Sequence, residues 1–219
     1  MKISAISNFP RIGAWTRRSL LVVCLALAMI SAAVASAVSL RPASAPFAPT
    51  LVLMIDQAHS TLHWTLDSTL HMVHGTFALK RGEVTVDPAS GKASGEIVAD
   101  ATSGQTGNDS RDKKMHQEIL ETPRFPEIVF RVSQIEGLTA PLAKAHLKLH
   151  GTFLIHGTQH DMTVPADAEF AGDHFSGTAN FVVPYIDWGI KNPSNFLLKA
   201  SPTVDVSLEL SGSVRPPAK

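Results

Sequence analysis

Ten histidines are the residues of this sequence best suited to binding a metal or transferring protons. A zinc site needs three or four ligands that converge in space. His146, His150 and His156 share the parity of one strand face, but that face is otherwise polar and indicates a surface toward solvent. His71 and His74 are three positions apart, so in one strand they point to opposite faces. The pattern predicts surface and turn histidines and no metal site.

Residue types used in covalent catalysis form no recognisable constellation either. The single cysteine, Cys24, lies close to the N-terminus, and the sequence has no Gly-x-Ser-x-Gly segment. Ser60 directly follows His59, so in a strand these side chains lie on opposite faces and do not form a triad. Residues 103–107 form a Gly-containing segment before a helical pattern, but the lysine of a phosphate-binding loop is missing. The sequence therefore indicates no cofactor.

The first 37 residues have the pattern of a cleavable signal peptide. They contain four basic residues and no acidic residue, an unbroken apolar run at 20–30, and mostly small residues at 31–37. Ala35-Ser36-Ala37 is the best cleavage tripeptide, and a retained membrane anchor over residues 20–40 is the alternative. Residues 16–21 resemble a twin-arginine motif, so the Sec and twin-arginine routes both stay open. We expect a periplasmic or secreted protein.

Removal of this segment changes the charge and redox arguments. The chain has 19 basic and 19 acidic residues, so losing four basic ones leaves 15 against 19, a net charge near −4 with neutral histidines. Nucleic-acid binding needs clustered positive charge, so we expect no nucleic-acid partner. The mature chain has no cysteine and depends on its hydrophobic core, for which roughly 180 residues suffice. No later segment reaches membrane-spanning length.

Most of residues 51–214 alternate between apolar and polar side chains with the period of two that predicts strands. Residues 38–50 are rich in proline, alanine and serine and indicate a flexible lead-in, and residues 215–219 are predicted to be a disordered tail. Turn-forming residues predict turns at 87–91, 156–160 and 171–173. About eight or nine short strands with one apolar face predict a single all-β domain, a barrel or a sandwich.

One segment departs from the strand pattern. Asn108 can cap a helix in which Met115, Ile119 and Leu120 form an apolar stripe, and Pro123 ends it. A short helix on a long crossover between antiparallel strands can serve as a lid over the barrel. It can also simply close one end of the core, and the pattern leaves both interpretations open.

Several motifs, taken together and in order, resemble those of the YceI-like family. The resemblance covers residues 53 to about 212. It implies a lipocalin-like antiparallel barrel of about eight strands with one short helix on a long crossover, usually exported in bacteria. It also implies an elongated apolar cavity that holds polyisoprenoid, quinone-like or fatty-acyl chains. The residues that carry it are Asp56-x-x-His59-Ser60-x-Leu62-x-Trp64-x-Leu66, Val73-x-Gly75-x-Phe77, Thr106-Gly107-Asn108-x-x-Arg111-Asp112, Phe125-Pro126-Glu127-Ile128-x-Phe130 and Asp187-Trp188-Gly189-Ile190.

Apolar residues that point into a barrel of about eight strands can either line a cavity or fill it. The predicted ligand site follows from the strand parity and the resemblance together. Head-group contacts are expected from polar residues near the open end. The candidates are Leu62, Trp64, Leu66, Phe77, Phe153 and Phe181 for the wall, Met115 and Ile119 for the lid, and Asn108, Arg111 and His116 for the head group.

We therefore expect an exported carrier of a long apolar lipid, either isoprenoid, quinone-like or fatty-acyl, without catalysis. Two alternatives stay open. One is an enzyme that acts on such a lipid inside the cavity, and the other is a stress-related interaction module whose barrel is filled. The sequence also leaves a homodimer open.

Overall fold

The computed structural model describes residues 50–194 and 196–216. The predicted signal peptide, residues 1–37, and the lead-in up to residue 49 lie outside these residues. No helix among the described residues is both long and apolar enough to cross a membrane. The strands of the described chain are β1 (Leu51–Ile55), β2 (Thr61–Leu66), β3 (Val73–Val86), β4 (Lys92–Gln105), β5 (Glu127–Glu136), β6 (Ala145–Ile155), β7 (Thr158–Ala171), β8 (His174–Val183) and β9 (Val204–Arg215). Between β4 and β5 lies one short α-helix, α1 (Asp109–Lys114), which continues into a π-helical turn, Met115–Ile119.

The strands close into a ring. Their order is β1-β3-β2-β9-β8-β7-β6-β5-β4, with two further pairings, β1 with β9 and β3 with β4. The pairing of β3 with β4 closes the sheet on itself. β1 and β2 share one position in the ring, because both pair with β3 on one side and β9 on the other. The described strands therefore form a closed antiparallel barrel with eight positions. This confirms the predicted lipocalin-like barrel and decides against a sandwich. β9 runs to Arg215, which pairs with Val52, so the last strand extends one residue into the predicted tail.

The interruption between β1 and β2 is built by the first motif of the sequence. The Asp56 carboxylate accepts a hydrogen bond from the Ala58 amide at 2.9 Å and lies 2.8 Å from Nδ1 of His59. Ser60 Oγ donates to the Asp56 carbonyl at 2.6 Å. The bond with His59 is the main reason that the pKa of Asp56 lies below its usual value. These short-range bonds form the 3₁₀ turn Gln57–His59, after which β2 resumes the same position in the barrel.

The turn predicted at 156–160 is shorter than the prediction. β6 ends at Ile155 and β7 begins at Thr158, so His156 and Gly157 alone make the turn. Both have positive φ, +50° and +77°, as the two-residue hairpin turn that matches strand twist requires. His160, placed in the turn by the prediction, is a strand residue whose ring stacks on Trp188 at 4.3 Å. The predicted turn was too long because the polar residues at 158–160 are typical of a loop, although they belong to β7.

The two ends of the barrel differ in their connections. In an antiparallel barrel, alternate connections lie at the same end. The connections after β3, β5 and β7, at 87–91, 137–144 and 172–173, therefore lie at one end, where Val86, Ile135 and Leu138 are buried. The connections at 67–72, 106–126, 156–157 and 184–203 lie at the other end, and the two longest of them, 106–126 with α1 and 184–203, are both there. We call this the lid end.

A charged cluster lies on the outside of the β3–β4 seam that closes the barrel. Arg81 donates to Glu96 of β4 at 2.9 Å and to Glu127 of β5 at 2.8 Å. The hydrogen bond from Arg81 is the main cause that lowers the pKa of Glu127 to about 2. These groups are partly exposed, so their contribution to the free energy of folding is small. The three side chains nevertheless connect β3, β4 and β5, which are neighbours in the strand order.

We expect Gly75→Ala to destabilise the barrel. Trp64 and Gly75 are cross-strand partners, and a Cβ at Gly75 would lie 2.2 Å from Cζ2 of the Trp64 ring. The ring must move, at a cost of about 1–3 kcal/mol for overpacking. Urea unfolding monitored by circular dichroism measures the loss. Gly177→Ala is the control, because a Cβ there would lie 3.4 Å from the nearest atom. Equal destabilisation by both substitutions would contradict this account.

Candidate functional site: an apolar cavity under a helical lid

The barrel encloses a cavity of about 490 Å³, a volume within the range of about 300–1,000 Å³ typical of ligand sites. All nine strands contribute inward-facing residues, and most of these are aliphatic or aromatic. Aliphatic lining residues beyond those predicted from the sequence include Leu53, Ile55, Leu79, Ile97, Ile128, Leu147, Val164, Leu208 and Leu210.

Small inward residues explain why the barrel is open. Ala166 of β7 and Ala179 of β8 are register partners, and both line the cavity. Ala168 of β7 and Gly177 of β8, also register partners, and Ala99 of β4 line the cavity too. An eight-stranded barrel is just wide enough for side chains to fill or for one small ligand. Alanine and glycine at these positions leave space that larger side chains would fill.

The strand residues predicted from parity all line the cavity. Trp64 and Phe77 lie with ring centroids 6.2 Å apart, and Phe153 lies 6.4 Å from Phe181 in an edge-on arrangement. Their function as ligand contacts stays a prediction. The cavity lining includes all six of them, Leu62, Trp64, Leu66, Phe77, Phe153 and Phe181.

The lid helix begins at Asn108, whose side chain accepts a hydrogen bond from the Arg111 amide at 3.0 Å. Asp112 Oδ1 accepts from both the amide and the hydroxyl of Thr106, at 2.9 and 2.5 Å, and so holds the first turn against the end of β4. After Lys114 the helix widens, because the Leu120 amide donates to the carbonyl of Met115, five residues earlier. Such π turns are frequent at functional sites.

This π turn presents apolar side chains to the cavity. Met115 and Ile119 both line it, and Ile119 is buried. Met115 and Phe77 meet over Gly104, where a Cβ would lie 2.8 Å from the Met115 methyl carbon and 2.4 Å from Phe77 Cε1. The helix is thus a wall of the cavity, which favours the lid interpretation over a helix that only closes the core.

Of the three predicted head-group residues, only Arg111 lines the cavity. Asn108 serves as the helix cap. His116 fastens the lid, since its Nε2 lies 2.8 Å from the carbonyl of Gly104 and its Nδ1 lies 3.2 Å from Thr122 Oγ1. The carbonyl can only accept, so Nε2 carries a proton. Polar lining residues that sequence reasoning missed are Ser68, His71, Lys114, Asp167 and Thr178. Of these, Lys114 lies three positions after Arg111, a spacing that places both on one helix face.

The connection between β8 and β9 supplies further lining residues that the sequence prediction missed. Tyr185 and Ile190 are buried and line the cavity. The Tyr185 hydroxyl donates to the carbonyl of Ser201 at 2.8 Å, and burial raises its pKa, so it remains a neutral donor. Trp188 of the late motif does not line the cavity. It packs behind Phe153, with ring centroids 5.5 Å apart.

Two loops at the lid end are bound to each other. The Thr69 amide donates to the carbonyl of Lys199 at 3.0 Å, and Ser68 forms a β-bridge with Ala200. Ser68 and Ala200 both line the cavity, so this pair of loops borders it. The same loops carry large apolar side chains that are exposed to solvent. These are Leu70, Met72, Phe196 and Leu197, with Phe196 96% exposed.

The histidines of the strands make contacts on the outer faces of the barrel. His146 pairs with Asp167 and His150 lies 3.0 Å from Glu136, both at side chains that are partly or largely exposed. Within the described residues no group of three or more histidine, cysteine, aspartate or glutamate side chains is placed to hold a metal ion.

The closed barrel, its apolar interior and its helical lid define the class, a lipocalin-like barrel with a ligand-sized cavity. The family model of the YceI-like domain matches residues 53–212, and the chain belongs to this family, as the motifs predicted. No curated protein matches the chain.

Solved structures of similar fold support the same class. BcnA of Burkholderia cenocepacia superposes with a TM-score of 0.58 at 17% identity, over 72% of this chain and 98% of BcnA. A polyisoprenoid binding domain from Saccharophagus degradans gives a TM-score of 0.59 at 16% identity, over 75% and 98%. The YCEI protein of Campylobacter jejuni gives 0.52 at 19% identity, over 69% and 88%. At these identities the likeness shows the shared fold.

We expect Asp112→Ala to loosen the lid without unfolding the barrel. The substitution removes two hydrogen bonds to Thr106, so opening of residues 109–119 becomes easier by about 1 kcal/mol. Hydrogen exchange of the lid amides should accelerate about fivefold while the strand amides stay protected. Asp109→Ala removes the same charge from the first turn and serves as the control. The account fails if both variants change lid exchange equally, or if the strands lose protection too.

Proposed function

We propose that this protein is an exported carrier that binds a long apolar lipid, isoprenoid, quinone-like or fatty-acyl, inside the barrel without transforming it. The observation that carries the proposal is the cavity of about 490 Å³ inside the barrel, with an almost wholly apolar wall. Transfer of apolar surface from water into such a wall gains about 25 cal/mol per Å². A long hydrocarbon chain therefore binds well without many polar contacts.

The comparisons support this function. The chain belongs to the YceI-like family, and the similar structure from Saccharophagus degradans is described as a polyisoprenoid binding domain. The pattern of residues 1–37 supports export to the periplasm or beyond. A lipid cannot cross an aqueous compartment unaided, and an apolar container in such a compartment meets that need.

Two alternatives differ from the proposal in testable ways. A filled barrel conflicts with the cavity volume. An enzyme acting on the lipid needs an activated group at the wall. The one serine on the cavity wall, Ser68, donates its hydroxyl proton to the backbone carbonyl of His71 at 2.6 Å and not to a side-chain base. Binding is the function that these contacts favour.

Mass spectrometry of an organic extract of the purified protein tests the proposal. We expect an isoprenoid or acyl species at near-stoichiometric amount. Repeated absence of any lipid, together with failure to take up added farnesol, would contradict it. Conversion of an added lipid into a product would favour the enzyme instead.

We expect Ala166→Trp to abolish lipid retention while the barrel still folds. The indole would occupy the space that Ala166 and Ala179 leave open on the cavity wall. Ser176→Trp is the matched control, because Ser176 lies on β8 with its exposed side chain on the opposite face from Ala179. The extracted lipid, measured relative to protein, should fall to about one tenth or less in the first variant and stay unchanged in the second. Equal retention in both would show that the lipid lies elsewhere.

A further inference from the structure

Two positively charged side chains face the apolar cavity from the lid. Arg111 and Lys114 are half-buried, and both line the cavity. They are separated by three positions on α1, a spacing that brings Cβ atoms within about 5–6 Å of each other on one helix face. The lid therefore presents two cations to one region of a wall that is otherwise almost entirely apolar.

Hydrogen bonds within the protein hold both groups in place without neutralising them. Arg111 Nε donates to Thr106 Oγ1 at 2.7 Å, and its Nη2 donates to the Thr106 carbonyl at 3.1 Å. Lys114 Nζ donates to the carbonyl of Pro193 at 3.2 Å. Thr106 and Pro193 are neutral, and within the described part of the chain Nη1 of Arg111 has no hydrogen-bond partner.

Carboxylates near the cavity have other partners. Among residues 50–194 and 196–216, neither Arg111 nor Lys114 takes part in an ion pair, whereas Arg81, Arg131 and Lys191 each do.

The one acidic lining residue, Asp167, is 60% exposed and bonded to His146 on the outer face. Asp112 reaches Arg111 only through the Thr106 hydroxyl. Glu118 pairs with Lys191.

Cations that are partly withdrawn from water favour a counter-ion, because desolvation without a partner costs free energy. We propose that Arg111 and Lys114 form the site for an anionic head group, a carboxylate or a phosphate, on the apolar chain in the cavity. The inference rests on the proposed lipid-binding function and adds a preference between charged and neutral lipids of the same chain. Lys114 is a head-group residue that the sequence motifs did not indicate.

Matched pairs of lipids that differ in the head group alone test this preference. Isothermal titration calorimetry on the purified full chain compares dodecanoate with dodecanol, and farnesyl phosphate with farnesol. The charged member of at least one pair should bind about tenfold tighter or better, since hydrogen bonds to charged groups contribute about 1.5–3 kcal/mol. The pair with the larger ratio distinguishes a carboxylate site from a phosphate site.

Substitutions on one helix assign the preference to Lys114. Lys114→Met should lower the affinity for the charged lipid about fivefold to tenfold and leave the neutral lipid within about twofold. Lys114→Arg should retain the preference. Lys113→Met is the matched control, because Lys113 is exposed on the same helix and does not line the cavity. Arg111→Met should also reduce the preference, and circular dichroism checks that the lid variants remain folded.

The outcomes separate the two levels of the proposal. If charged and neutral lipids bind equally tightly, or if Lys113→Met has the same effect as Lys114→Met, the head-group site is wrong while lipid binding stands. If neither member of either pair binds, the lipid-binding function itself is overturned. A preference for the neutral lipid would also contradict the head-group site, because the two cations would then not offset the desolvation of the anion.

Discussion

Closure of the sheet by the pairing of β3 with β4 is the constraint on which the rest of the structure depends. In an open sheet, period-two alternation only separates a buried face from an exposed one. In a closed ring, the same alternation encloses every second residue of every strand in one volume. The shared position of β1 and β2 is part of this closure, because the turn between Asp56 and Ser60 lets a broken strand fill one position.

The volume inside the barrel is a cavity because several inward-facing side chains are small. Phe153 and Phe181 lie on a wall that also contains Ala166 and Ala179. A core that folds for stability alone is packed to the density of organic crystals. The missing contacts across this barrel therefore cost stability, and a bound hydrocarbon chain is the group whose atoms would restore them.

The lid combines apolar contact with charge. Its π turn places Met115 and Ile119 against the cavity, while the preceding turn places Arg111 and Lys114 there. An apolar wall with two cations at one end is complementary to an amphiphile that has an apolar chain and an anionic head group. His116 holds this arrangement to β4 through the carbonyl of Gly104, so the position of the charges depends on the attachment of the helix.

Local patterns in the sequence determined the strands, the Asn108 cap, the family and the inward parity of residues such as Trp64 and Phe153, because alternation and capping act over a few residues. The turn at His156 was placed correctly and its length was wrong, since polar side chains occur in loops and on solvent-facing strands alike. Only the tertiary structure decided that the barrel is open, that His116 is used within the lid, and that Lys114 faces the cavity. Each of these depends on distances between strands and helix that are far apart in the chain, and a sequence pattern carries no such distance.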